Sequence, residues 1–542
     1  MRGLPRLTSH RYSGIGKIVK TLLLDAVAGL LMAACWAANA QSVQHLSITQ
    51  PGGMPGLPVV TGVTRATNGL NITWDGPSGY YQLFENSSLT NSKWQAVGKD
   101  TNLNRQTTVS LTSSNAFFRV SGPSPHYAGW QTCAECHSPI LNTVTQTAHA
   151  AAFTNAEFVA NGGQTNVSCL PCHTVGYALP TGFTNLAKTP KLAGVQCENC
   201  HGPAAYHASN PDDPTLVPRA EIAATVCGGC HARRYDEWKS SQHTAVIPNL
   251  NATNQIDNCG RCHSGTARMS LIGGLAPLAG DASLGIQCIS CHDPHQTNGY
   301  PAQLRYPLAS TNDYFMPTNG VFSNYYNASI NVCGQCHNHA GASWTNSAAP
   351  PHLSPQYNLL LGTVGELDPP LTHFPASHAT KLTNQCVACH MQTTPFVSQA
   401  APGDGGHKFT VDSYEVCAGC HGTLATVPQF MQQVQQFRKG NALYLQELTL
   451  DLDYWATNSA PAALRSKYGT NAWEYTAPGG LSPGALAGPN AAEQASIPAN
   501  IQKARFNVYI VFSDQSLGVH NPYYVQDLLD QAETWIYNEL YP

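Results

Sequence analysis

Between Pro58 and about Ser121 apolar and polar residues alternate along the chain. Leu70, Ile72 and Trp74 take every second place, as do Val109 with Leu111, and Phe118 with Val120. Turn residues separate these runs: Asp75-Gly76-Pro77, Asn86-Ser87-Ser88 and Ser113-Ser114-Asn115. A period of two turns one face of each run inward, and short runs at this spacing predict a small antiparallel β-sandwich over residues 58–121. Beyond Gly422 the period lengthens. Phe430, Val434 and Phe437, then Tyr444, Leu445 and Leu448, recur at helical spacing. A polar excursion rich in proline and glycine follows over 458–498, then a second helix over 499–512. The last helix is expected to start at Asn521-Pro522, a cap followed by a first-turn proline, and to run to about Leu540. Between these regions, residues 122–422 have too few Leu, Ile and Val for a large side-chain core.

Cysteine usage supplies what that middle region lacks. Nine times the chain reads Cys-x-x-Cys-His, which uses eighteen of its nineteen cysteines. The pairs are Cys133 with Cys136, Cys169 with Cys172, Cys197 with Cys200, Cys227 with Cys230, Cys259 with Cys262, Cys288 with Cys291, Cys333 with Cys336, Cys386 with Cys389, and Cys417 with Cys420. Each is a signature for covalent haem c, the two thiols forming thioethers with the macrocycle. The histidine that follows becomes the proximal iron ligand: His137, His173, His201, His231, His263, His292, His337, His390 or His421. Zinc ribbons also pair Cys-x-x-Cys units, but tetrahedral zinc does not demand a histidine after every pair. A disulfide scaffold would show irregular spacing in a much shorter chain. Nine haems are therefore expected.

The motifs fall into three triplets. The first starts at 133, 169 and 197 and the second at 227, 259 and 288, each opened by a motif with a histidine twelve residues after the proximal one, His149 or His243. In the second triplet the intervening ARRYDEWKSSQH reads as one short helix. Both triplets close on near-identical phrases, GVQCENCHGP and GIQCISCHDP, followed by His207 and His295. The third (333, 386, 417) is looser, with His352 in the corresponding place. Such self-similarity implies a repeated supersecondary unit. Nine macrocycles in 289 residues leave about 32 residues each, so the haems themselves should form the core, wrapped by loops and short helices. The fold class expected is multidomain: a small all-β sandwich, then a loop-rich, mainly α multihaem cytochrome domain over 122–422, with C-terminal helices over 423–542 packing on the haems.

The second axial ligand decides what such haems can do. Candidates are His149, His207, His243, His295, His352, His407 and His520, joined by His378; His126, His339 and His373 compete for the remaining places, and His45 lies outside the haem region. Two imidazoles saturate an iron, which can then pass an electron but has no position for substrate. An electron carrier is favoured over a redox enzyme, with no catalytic residue named. The alternative is an oxidoreductase acting on a small nitrogen or sulfur compound, such as nitrite or hydroxylamine, at one open haem.

Residues 1–40 read as an export signal: Arg2, Arg6, Arg11, Lys17 and Lys20 precede an apolar run from Leu22 to Ala38, and Ala38-Asn39-Ala40 offers a cleavage site before Gln41. Leu31-Met32-Ala33-Ala34-Cys35 resembles a lipoprotein box, a less favoured alternative that would anchor the chain at Cys35. Residues 41–57 read as a linker. No later segment is long and apolar enough to span a bilayer. Cleavage would remove five positive side chains and one negative, taking the formal charge from −4 to −8, which argues against nucleic acid.

CAECH with His149, CGGCHARRYDEWKSSQH and CENCHGPAAYH with His207 resemble the tetrahaem cytochrome that accepts electrons from hydroxylamine oxidoreductase. GHKFTVDSYEVCAGCH and KARFNVYIVFSDQSLGVHNPYYVQDLL resemble the C-terminal part of the octahaem oxidoreductase and pentahaem nitrite reductase lineage. That resemblance implies that His407 and His520 lie near, or bind, haem iron. In that lineage the ammonia-forming nitrite reductases attach the catalytic haem through a motif ending in lysine, which none of the nine motifs here does. The β-region resembles fibronectin type III-like modules. The expected setting is the periplasm or the outside of the cell. The expected partners are other cytochromes or a quinol-linked membrane oxidoreductase, with a homo-oligomer or filament possible.

Overall fold

The computed structural model describes residues 59–542, except 68, 76–79, 88–93, 103–105, 111–115, 122–125, 215, 219–221, 248–249, 251–254, 274–282, 297–300, 306–331, 371–373, 383, 396–404, 423–426 and 482–485. The expected signal and linker, Cys35, His45, Leu111 and His373 lie outside the described residues. The chain divides into two compact units. One comprises residues up to Thr132 with Thr174–Ala193 and Cys197–Arg219; the other comprises Cys133–His173, Gly194–Gln196 and Ala220–Pro542.

In the first unit, alternation yields six strands: β1 (Val59–Ala66), β2 (Gly69–Asp75), β3 (Tyr80–Asn86), β4 (Gln95–Asn102), β5 (Gln106–Val109) and β6 (Phe117–Ser121). They form two three-stranded antiparallel sheets, ordered β1-β2-β5 and β4-β3-β6. Leu70, Ile72, Trp74, Tyr81, Leu83 and Val109 point inward and pack as one buried cluster, Trp74 meeting Tyr81 edge-on at 5.7 Å. Leu70 pairs with Arg65 on one side and Val109 on the other, so a slip of one residue would turn this apolar set outward.

The same unit holds the third Cys-x-x-Cys-His motif, on the short helix Cys197–His201. Glu198 inside that motif is 1% exposed and accepts the backbone N–H groups of Ala128 (3.0 Å), Gly129 (2.8 Å) and Ala204 (2.8 Å). Burial raises its pKa above the ordinary carboxylate value, and these three donors hold it back. One carboxylate thus ties the motif to the chain before and after it.

In the second unit the haem motifs sit on short turns and helices. The helix Trp130–Val144, here α1, is broken at His137 (φ −111°, ψ 33°), two residues before Pro139, whose ring cannot continue a regular helix. In the second triplet α2 (Ala232–Lys239) stops early, and His243 rides a separate 3-10 turn, Gln242–Thr244. The hydroxyls of Ser240 and Ser241 bond back to the carbonyls of Glu237 (2.6 Å) and Trp238 (2.7 Å), which ends the helix expected to continue through His243. The two closing phrases behave alike: Val195 N–H donates to the His149 carbonyl (3.2 Å) and Ile286 N–H to the His243 carbonyl (2.7 Å). Gly285 permits this approach, because a Cβ there would lie 2.5 Å from the His243 oxygen.

The C-terminal segment folds as α3 (Val427–Asn458), α4 (Ala462–Tyr468), α5 (Ala499–Asp514) and α6 (Pro522–Leu540). The two helical patterns before residue 458 are one continuous 32-residue helix. The expected excursion contains α4, held to α3 where the Arg465 guanidinium donates to the Asn458 carbonyl at 2.5 Å. Leu448, Leu452, Trp455, Trp473, Tyr509, Val525 and Leu528 belong to the large buried cluster between these helices. Asn521 caps α6 and also donates to the carbonyls of Leu359 and Phe374, at 3.2 and 2.6 Å, which seats α6 against the segment between the seventh and eighth haem motifs.

Candidate haem sites

Each motif ends in a turn that fixes its histidine, and in the second unit six of these imidazoles look across a gap at another. The ring centres of His231 and His149 are 6.0 Å apart, those of His337 and His243 6.2 Å, and those of His263 and His352 5.7 Å. His292 faces His407 at 6.2 Å, His421 faces His378 at 6.5 Å, and His390 faces His520 at 6.2 Å. An imidazole nitrogen binds a first-row metal at about 2 Å and its ring centre lies about 1 Å further back, so rings on opposite sides of one iron have centres about 6 Å apart. The six gaps fit an iron flanked by two imidazoles. Among the described residues no group of three or more His, Cys, Asp and Glu converges on a metal-sized site, whereas structural zinc takes four ligands.

The ring nitrogens on the far side are also arranged for this. Nδ1–H of His292 donates to the Ala302 carbonyl (2.7 Å), that of His378 to Val519 (3.0 Å), that of His390 to Phe409 (3.2 Å) and that of His407 to Gly405 (2.9 Å). His337 donates to the Gln356 side-chain oxygen (3.3 Å). His352 meets the Ser354 hydroxyl (2.8 Å), whose own proton goes to the Asn338 carbonyl. A carbonyl can only accept, so Nδ1 must carry the proton and Nε2 keeps its lone pair for the metal. His173 is held in the same way by the Ala152 carbonyl at 2.8 Å. Burial, with neighbouring imidazoles adding, pushes the pKa of His231 and His243 down to about 4, which keeps both rings in the neutral, ligating form at physiological pH.

None of the eighteen motif cysteines is joined to another in a disulfide. Several meet across motifs. Cys172 contacts Cys230, Cys227 contacts Cys288, Cys262 contacts Cys336, and Cys333 contacts Cys386. The fifth and seventh motif turns pack reciprocally, Cys262 Sγ on the Gln335 carbonyl (3.8 Å) and Cys336 Sγ on the Arg261 carbonyl (4.0 Å). Attachment points of different haems are therefore close neighbours.

The nine thiol pairs are alike in sequence but not in placement. Cys136, on α1, and Cys420, on the short helix Ala418–His421, are exposed at the first and last motifs, and neither has a described contact with a thiol of another motif. Cys200 is half-buried on the helix Cys197–His201, in the first unit. Of the rest, Cys230 is also exposed, while Cys133, Cys169, Cys197, Cys259, Cys291, Cys389 and Cys417 are half-buried.

The remaining histidine candidates are placed differently. His207 sits on the short helix Ala205–Ser209, its Nδ1 buried without a hydrogen bond. His295 lies beside Asp293, its Nδ1 4.0 Å from that carboxylate. His126 packs on Tyr206, with Nδ1 3.2 Å from the hydroxyl. His339 donates its backbone N–H to Asn358 (2.9 Å). Within their unit no histidine ring lies opposite His137 or His173 among the described residues; His173 instead stacks on Phe158 at 4.0 Å. The three opening segments are not equivalent. His149 and His243 face motif histidines of the following triplet, while His352 faces His263 of the preceding one.

Three residues that the sequence reading passed over organise these sites. Glu237 accepts the N–H groups of Gly405 (2.6 Å) and His407 (2.9 Å), fixing the loop that presents His407. Phe409 adopts φ +60°, a left-handed conformation costly for a bulky residue. Its ring touches His243 (4.4 Å) and His407 (5.8 Å) while its carbonyl takes the His390 proton. Asp514 accepts Nδ1–H of His520 at 2.6 Å.

Paired thiols, a motif histidine and a facing imidazole are the donor set of a c-type haem. The chain is a multihaem c-type cytochrome. Residues 132–202 and 226–293, the first two triplets, match the family described as cytochrome c554 and c-prime. Among curated proteins it is 26% identical over 222 residues to the C-type polyheme cytochrome OmcC of Geobacter sulfurreducens, covering 37% of this chain and 26% of that one. It is 29% identical over 178 residues to cytochrome c-554 of Nitrosomonas europaea, covering 26% of this chain and 76% of that one. The chain spans less than half the length of the polyhaem relatives it matches, between 26% and 45%. The outer cell wall cytochrome OcwA superposes with a TM-score of 0.49 at 18% identity, over 76% of this chain and 99% of that chain.

Proposed function

We propose that the protein is an electron carrier that binds nine haems c and works in the periplasm or outside the cell. The nine thiol pairs would hold the macrocycles, and the six facing imidazole pairs would each enclose one iron. A haem with both axial positions filled supplies one-electron redox chemistry without a place for substrate. The chain's part is to hold each imidazole neutral and oriented, through the Nδ1 acceptors above, and to keep neighbouring attachment turns in contact. The observation that carries this reading is the set of six pairs spaced for a shared iron. Partners would be other redox proteins, such as cytochromes or a quinol-linked membrane oxidoreductase. No helix among the described residues is long and apolar enough to cross a membrane.

Spectroelectrochemical titration of the purified holoprotein tests the proposal. The expected result is full, reversible reduction over a broad potential range without consumption of nitrite or hydroxylamine. A second reading is catalysis at an open haem. Rapid turnover of either compound, with a high-spin signal that changes on adding it, would favour that reading instead.

A further inference from the structure

The acceptor beside His520 differs in kind from those beside the other paired imidazoles. Where a contact to Nδ1 is described, His292, His378, His390 and His407 meet backbone carbonyls, His337 an amide oxygen and His352 a hydroxyl. His520 meets a carboxylate. Its Nδ1 lies 2.6 Å from Asp514 Oδ1, and the Asp514 side chain is fully buried. The second carboxylate oxygen takes the hydroxyl proton of Ser516, and no lysine or arginine pairs with Asp514 among the described residues. Asp514 is the last residue of α5, and Gln515 after it turns left-handed at φ 60°, which brings the chain back so that His520 meets the residue that ends the helix.

A charge-assisted hydrogen bond to a buried carboxylate is shorter and about twice as strong as one to a neutral acceptor. It draws the Nδ1 proton away from the ring and makes Nε2 the better donor, which stabilises ferric over ferrous iron. We infer that Asp514 is a positioning and tuning residue that lowers the reduction potential of the haem attached at Cys386 and Cys389, through His520. The inference rests on the proposed pairing of His390 with His520. The consequence is a low-potential site between two neighbours with neutral acceptors. The Gln356 side chain that takes the His337 proton also donates to the Asp514 carbonyl (3.3 Å), and the Val519 carbonyl takes the His378 proton. The segment 514–520 therefore reaches the seventh-motif ligand through Gln356, touches His378 opposite the ninth motif and supplies the eighth-motif partner His520, but puts its carboxylate on one of them.

The test compares the holoprotein with Asp514→Asn in a potentiometric titration followed by electron paramagnetic resonance. Asparagine keeps an acceptor oxygen of the same reach and removes the charge. One low-spin signal should titrate at higher potential, its reduced-to-oxidised ratio at a fixed potential rising about tenfold, which for a one-electron couple is about 59 mV. The other low-spin signals and the haem content should hold. His520→Ala identifies the signal, because that one alone should leave the low-spin set. If Asp514→Asn moves no midpoint while the signal stays low-spin, the tuning role is overturned. If the signal turns high-spin in Asp514→Asn, the residue only holds the ligand, and the inference fails too. If His520→Ala leaves every low-spin signal in place, the pairing itself is wrong.

Discussion

Between residues 222 and 422 most buried apolar side chains form small groups, such as Leu250, Ile256 and Ala267, or Tyr357, Leu360, Leu361, Ala376 and Ala379, while Leu359 and Val364 join the C-terminal cluster. Between Val427 and Leu540 the same unit of the same chain builds one large cluster around Leu448, Trp455, Trp473, Tyr509 and Leu528. Burying a large apolar side chain contributes about 1.5–3 kcal/mol, so the C-terminal helices can sustain their own fold. The haem region cannot do so from side chains alone. Its order is spent on imidazoles held by single hydrogen bonds and on thiol turns packed against one another. One region folds around its residues, and the other supplies residues for cofactors to be folded around.

Blocking haem attachment should separate the two most strongly. Protein made without haem is expected to lose amide protection over 222–422 while α3, α5 and α6 keep theirs, as read by hydrogen exchange. Equal protection in both regions would erase the contrast. Next in size, Trp473→Ala removes a side chain 1% exposed in the C-terminal cluster and should cost about 3–5 kcal/mol in denaturant unfolding, with the low-spin haem signals unchanged under native conditions. Glu237→Ala in the haem region should cost less, about 1–3 kcal/mol, by leaving the N–H groups of Gly405 and His407 without their acceptor. It should also alter the signal of the haem that His407 faces, which the tryptophan variant does not. The smallest effect concerns Glu474, which is 1% exposed and accepts from the Tyr509 hydroxyl at 2.5 Å. Burial raises its pKa above 4.5, so the stability this residue contributes is present below that value and is lost as pH rises through the raised one. Relative to Glu474→Gln, the natural protein should therefore lose stability between acid and neutral pH. Parallel curves of denaturant midpoint against pH would contradict this.

The two regions were also unequally legible. Residues that pack by period, such as Leu70, Ile72 and Trp74 in a strand or Leu445 and Leu448 in a helix, announce their element, and the cap at Asn521-Pro522 marked the start of α6. The proximal histidines were readable because a fixed spacing ties each to its thiols. That spacing does not tell where a thiol ends up: Cys136 and Cys420 lie at the surface and Cys200 in the other unit, although their motifs read like the rest. Distal partners obey no spacing rule. His149 reaches the fourth motif and His520 the eighth, 130 residues upstream, and only tertiary structure brings those together. Of the histidines in repeated phrases, His149 and His243 each face a motif histidine, which the phrase alone did not assign to them. Glu237, Phe409 and Asp514 carry no motif at all, because each acts by holding another residue in place.

Electron carriage as proposed requires six irons each enclosed by two imidazoles. Quantitative electron paramagnetic resonance of the fully oxidised holoprotein measures this directly, by integrating low-spin against high-spin ferric signal per chain. At least six low-spin centres per polypeptide are predicted. Fewer than six, with the balance high-spin, would contradict the pairing on which the proposed function depends.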